Sequence, residues 1–197
     1  GHKGAFTTVS DNAVNANPVS ALQILLMQER FGEVRVKAEA LLRRADASDL
    51  ETQRGANLVL GLALARSGAG ARGLEACRRA FDLAHSAGKP PAEADALLGE
   101  AEAALAAGDR AAAAGYAGRA QAYYESAGKP ESLWRACVLR LRAGGPDPAV
   151  AARAAAALAV LQSSWPAEDF RSYLDRPVIR RMHAELLRAY PRTPDIH

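Results

Sequence analysis

Ser86-Ala87-Gly88-Lys89-Pro90 and Ser126-Ala127-Gly128-Lys129-Pro130 are the same five residues written twice, 40 positions apart. Each reads as a helix stop followed by a helix start. Glycine enters the left-handed backbone region at no steric cost, and proline cannot continue a helix but is tolerated in its first turn. The spacing extends outward from these words. Gly68 lies 22 residues before Pro90, and Gly108 lies 22 before Pro130. The helix-breaking glycines Gly32, Gly68, Gly108 and Gly144 follow one another at 36, 40 and 36 residues. Pro90 to Gly108 is 18 residues and Pro130 to Gly144 is 14, a difference close to one helical turn. A whole turn lengthens a helix without rotating its buried face. A period of this length marks stacked helical hairpins, each with an apolar face that only its neighbour can bury.

The intervening segments read as helices in pairs. Asn17 and Pro18 open the first, over 18–30, and Gly32 separates it from 33–46. Ser48-Asp49-Leu50-Glu51 reads as a capping box for a helix to about residue 67. Helices over 71–86, 91–107, 109–126, 131–143 and 148–162 follow, the last with Asp147 as cap. Two more, over 166–174 and 177–190, close the chain. No stretch alternates with a period of two, so no sheet is expected.

Composition agrees. Alanine and leucine, which lose little on entering a helix, are abundant, and isoleucine and threonine are scarce. The formal charge of +3 comes from 25 basic residues, mostly arginine, interspersed with 22 acidic ones. Such mixing lacks the dense basic block of a nucleic-acid-binding tail. The two cysteines, Cys77 and Cys137, form neither a disulfide framework nor a metal-ligand pair, and are compatible with a reducing cytosol. No apolar run is long enough to cross a membrane. The chain opens Gly1-His2 without an initiator Met, which reads as a processed start from which a targeting segment could have been removed. The expected organisation is a polar arm over 1–17, a repeat array over 18–162, capping helices over 163–190 and a tail over 191–197.

Counted from the breaking glycine as position fifteen, the small residues fall in a recurring pattern. The second repeat has Gly61, Gly73, Cys77 and Ala80. The third has Ala101, Ala113, Ala117 and Ala120. The fourth has Cys137 and Ala149, and the first, shifted by one, has Ala38 and Leu42. This pattern resembles the tetratricopeptide repeat family over about 18–162. The resemblance implies a right-handed α-solenoid of about four helix-turn-helix repeats, followed by a C-terminal capping helix pair. It also implies a concave groove lined by the first helix of each hairpin, at positions five, nine and thirteen. Carried over, these are Leu22, Leu58, Leu98 and Trp134; Leu26, Leu62, Glu102 and Val138; and Arg30, Arg66, Ala106 and Arg142.

The groove expected from that register is a leucine floor with Trp134 at one end and an arginine rail of Arg30, Arg66 and Arg142. It suits an extended or helical peptide with acidic groups, because arginine presents a planar fork to carboxylates and tryptophan a large rigid contact. The alternative for the same residues is that the leucines pack against the next hairpin and the arginines are merely solvated. The family's carboxylate-clamp subtype has asparagine at position nine of its first two repeats. Leu26 and Leu62 stand there, which argues against recognition of a chaperone tail.

The expected function is therefore protein-interaction scaffolding, free-standing or within a larger signalling polypeptide. A nucleic-acid-binding solenoid using its arginine-rich face is the alternative. No catalytic set, metal site or cofactor is expected. Gly68-Ala69-Gly70-Ala71-Arg72-Gly73 spells a dinucleotide-binding fingerprint, but it follows a helical pattern where that fingerprint needs a strand. The terminal segment puts Trp165, Phe170, Tyr173, Leu174, Ile179, Met182, Leu186 and Leu187 over the last repeat.

Overall fold

The computed structural model describes residues 17–189. The expected arm and tail lie outside these residues, apart from Asn17. Among the described residues there are ten helices and no strand. They are α1 (Pro18–Met27), α2 (Phe31–Arg44), α3 (Leu50–Arg66), α4 (Gly70–Ser86), α5 (Pro90–Ala106), α6 (Arg110–Ser126), α7 (Pro130–Gly144), α8 (Pro148–Ser164), α9 (Ala167–Leu174) and α10 (Pro177–Ala189).

The helix ends follow from local chemistry. Asn17 accepts a hydrogen bond from the Val19 amide at 2.9 Å, and Asp147 accepts from Ala149 and Val150. The cap of α3 is Asp49, which accepts from the Thr52 amide. Ser48, expected in that role, instead donates its hydroxyl to Asp46. The SAGKP words end α4 and α6 with Gly88 and Gly128 at φ 61° and set Pro90 and Pro130 in the first turns of α5 and α7.

The breakers differ from expectation at both ends of the array. Gly68 and Gly108 adopt φ of 88° and 84°, as their position between helices requires. In the first hairpin the left-handed residue is Glu29, at φ 58°, while Gly32 lies inside α2. In the fourth it is Gly145, at φ 87°, and Gly144 is the last residue of α7. Left-handed backbone at a side-chain-bearing residue is uncommon and carries no glycine signature in the sequence.

Each helix packs on the next, and α1, α3, α5 and α7 also touch in succession. The even-numbered helices show no comparable row of contacts. The array therefore curves, with the odd helices along its inner side. Three apolar clusters fill it, one running from α1 to α4, one from α5 to α10, and a small one of Ala104, Ala113 and Ala143 where α5, α6 and α7 meet.

Small residues set how closely the helices approach. Ala38, Cys77, Ala80, Ala101, Ala113, Ala117, Ala120 and Cys137 are fully buried, whereas Ala149 is exposed. A Cβ added at Gly61 would lie 2.9 Å from the Gly73 carbonyl oxygen and press on Cys77. One added at Gly73 would lie 2.8 Å from the Gly61 carbonyl oxygen, and one at Gly70 would drive into the backbone of Ala106 and Ala107. Gly70 and Gly73, the later glycines of the fingerprint-like word, are thus contact points between helices, and α3 precedes them. Burial also raises the thiol pKa of Cys77, and that of Cys137 to about 11.

Two measurements test this packing. Gly61→Ala meets backbone that cannot move aside and is expected to destabilise the fold by about 1–3 kcal/mol in urea unfolding. Gly115→Ala, in an open part of α6, is expected to stabilise it by up to about 1 kcal/mol. Equal effects would show that the α3–α4 crossing is not close-packed. The second concerns Glu100, which is only 3% exposed. Burial pushes its carboxyl up to about 7, against the downward pull of Arg78 and Arg119. Between the ordinary value of 4.5 and about 7 the folded chain keeps a proton that the unfolded chain has released. Its contribution to stability is complete below that window and is lost as pH rises through it. Glu100→Gln removes the loss. The variant is expected to exceed the wild type by up to about 3 kcal/mol at pH 8, and the gap should narrow toward pH 4.

Candidate functional site

The inner side of the curve is not an open trough. Helix α10 packs on α7 and α8, and its Arg181 pairs with Glu29 at the turn after α1, joining residues 152 apart. The last helix thereby reaches across to the first hairpin. Between them remains a pocket of about 330 Å³. Its apolar wall comes from Leu26, Met27, Leu58, Leu62, Val178 and Ile179, and its polar wall from Gln23, Arg66, Arg135, Arg176 and Glu131, with Tyr173 between them.

An ion-pair chain runs beside this pocket. Arg66, on the last turn of α3, donates Nε and Nη2 to the two carboxylate oxygens of Glu102 on α5, at 2.9 and 3.0 Å. Both side chains are largely buried, 15% and 10% exposed. Burial is the strongest single influence on Glu102 and acts to raise its pKa. The charge and hydrogen bonds of Arg66, with help from Arg135 and Arg142, outweigh it and hold the carboxyl below its ordinary value. Arg66 is likewise carried above its ordinary value by Glu102 despite burial. Arg135 Nη2 stands 3.9 Å from the same carboxylate. Farther along α7 from Arg135, Arg142 makes a two-pronged bond to Glu185 of α10.

The residues expected in the groove divide into four sets. Leu62 and Arg66 line the pocket. Glu102 lies behind Arg66 as its partner, and Arg142 holds α10 in place. Leu98, Trp134 and Val138 are buried in the chain's own core, and Trp134 donates its indole N–H to the Tyr173 hydroxyl at 2.9 Å. Tyr173 also meets Trp165 edge-on and lies under the Arg176 guanidinium, 5.3 Å from its ring centre. Trp134, tied in this way to Tyr173 of α9, is reached by a partner only if α9 moves. Arg30 lies outside the pocket, exposed, where it pairs with Glu33.

The displacement of Arg30 follows from Glu29. With Glu29 in the place that Gly68 holds in the second hairpin, the counterparts of Leu62 and Arg66 are Gln23 and Met27, and both line the pocket. Arg135 was also missed. It shares the face of α7 that carries Glu131, Val138 and Arg142, three residues before Val138, so helical periodicity alone could have found it. Tyr173 and Ile179 were expected only as a cap over the last repeat, and Arg176 only in a terminal basic cluster; their arrival at the first hairpin is set by the curvature of the whole array.

Among the described residues no three His, Cys, Asp or Glu side chains cluster as metal ligands, and no helix is long and apolar enough to cross a membrane. The fold and site define an all-helical hairpin array whose curved inner side is partly filled by its own C-terminal helix. Compared with protein-family models, curated proteins and solved structures, the chain has no match.

The Arg66–Glu102 pair is directly testable. Arg66→Ala strands a buried carboxylate and is expected to cost about 3–5 kcal/mol in urea unfolding, whereas the double change Arg66→Met with Glu102→Met should be close to neutral. If the single variant is as stable as the wild type, Glu102 is solvated and the pair does not organise the inner side.

Proposed function

We propose that the chain is a tetratricopeptide-type interaction scaffold, and that its inner side receives another polypeptide. The observation that carries this reading is the half-open pocket between the first hairpin and α10, where Met27, 50% exposed, and half-buried Leu58 and Leu62 meet a rim of arginines. Apolar anchors ringed by polar groups are the usual make-up of an interface centre. The binding surface is smaller than the groove expected from sequence. It comprises α1, α3, the first two turns of α7 and the corner between α9 and α10, not all four inner helices.

Protein is favoured over nucleic acid by the state of the arginines. Arg66 and Arg142 are committed to Glu102 and Glu185, so the rail is largely neutralised and ill-suited to tracking a phosphate backbone. The two cysteines are free and buried, which fits a reducing compartment.

The test is crosslinking in the cells that produce the protein. A photoreactive residue at Leu62 is expected to give one discrete protein adduct, and the same residue at Val36, exposed on α2, should not. Adding Met27→Asp should reduce the Leu62 adduct at least about tenfold. The same adducts from both positions, or none from Leu62, would remove the inner side from consideration as a docking surface.

A further inference from the structure

The three guanidinium groups in the pocket wall differ in what they have left to give. Arg66 spends two donors on Glu102, and Arg176 rests on the Tyr173 ring. Arg135 makes no hydrogen bond to any described residue. Its Nη2 is 3.9 Å from Glu102, too far for a bond, and its Nε is buried without a partner. The side chain is only 23% exposed. A guanidinium has five donors and never loses its charge, so removing it from water without a partner is costly. The buried Nε lies out of a ligand's reach, but the terminal Nη donors line the pocket, and a ligand oxygen there gives the guanidinium the partner it lacks.

The remaining wall narrows the choice of ligand. Three arginines face one lining carboxylate, Glu131, and Glu102 lies behind them, already committed to Arg66. The pocket therefore favours an anion. Leu26, Met27, Leu58 and Leu62 on one side and Val178 and Ile179 on the other offer an apolar slot. The volume of about 330 Å³ is at the low end of the ~300–1,000 Å³ typical of ligand pockets. That suits a chain of medium length and excludes a long acyl lipid held entirely inside.

We propose that this pocket binds a medium-chain amphiphilic carboxylate, with the carboxylate on Arg135 and the chain between the α1–α3 leucines and the first turn of α10. The ligand bridges the first and last hairpins, the same two ends that Arg181 and Glu29 join at the surface. This site does not depend on the protein-docking reading, since it needs no second polypeptide.

The experiment is isothermal titration of the whole chain at pH 7.5 with decanoate below its micellar concentration. Saturable binding of one decanoate per chain is expected. Decanol, which keeps the chain but lacks the charge, and decyltrimethylammonium, which reverses it, should each bind at least about tenfold more weakly. Arg135→Met should weaken decanoate at least about tenfold and leave decanol nearly unchanged. Met27→Asp, at a half-exposed position on the slot, should weaken both, and it decides the matter if Arg135→Met does not fold by circular dichroism. The proposal is overturned if decanoate gives no saturable heat, if decanol or the ammonium compound binds equally well, or if the folded variants bind decanoate like the wild type.

Discussion

Close approach of helices at small residues is the constraint on which the rest of this molecule depends. A hairpin of two amphipathic helices cannot bury its own apolar faces, so its stability comes from stacking. How tightly the hairpins stack is fixed where glycine, alanine and cysteine meet backbone, at Gly61 against Gly73 and Cys77, and at Gly70 against the end of α5. Contact along the odd-numbered row, with no equal row on the even side, bends the array. Curvature in turn brings α10 within reach of the first hairpin.

The inner side follows from that bend. Its arginines are placed by helical periodicity, but their electrostatic state depends on carboxylates brought in from other helices. Arg66 finds Glu102 on α5, and Arg142 finds Glu185 on α10. Once held by each other, such partners offer little charge to a ligand, and for the largely buried Arg66–Glu102 pair separation would also expose the desolvation cost of both. Arg135 escaped this fate. Its nearest carboxylate is already held by Arg66, and the leftover guanidinium gives the pocket its chemical bias.

Much of the fold was legible in the chain because the SAGKP words and the prolines act locally. They terminate and start helices through φ preferences that need no neighbour. The errors have local causes too. Asp49 and not Ser48 caps α3, and Gly145 and not Gly144 turns out of α7. Glu29 does in the first hairpin what glycine does in the next two, and a register counted from glycines therefore placed Arg30 in the groove where Met27 belongs. The site was less legible than the fold. A register shift of three residues leaves the helix in place and changes which side chain faces inward.

The sequence by itself determined the all-helical class, the hairpin period and the positions where helices touch, since each rests on backbone preference or side-chain size within one repeat. Only the tertiary structure decided that Trp134 and Val138 are core and not groove, that Arg66 and Arg142 are paired, and that a pocket replaces a trough. The Arg66–Glu102 pair needs α3 and α5 side by side, and the rest depends on where α9 and α10 land after eight helices of accumulated curvature. That is a sum of small rotations over the whole array, and no single repeat encodes it.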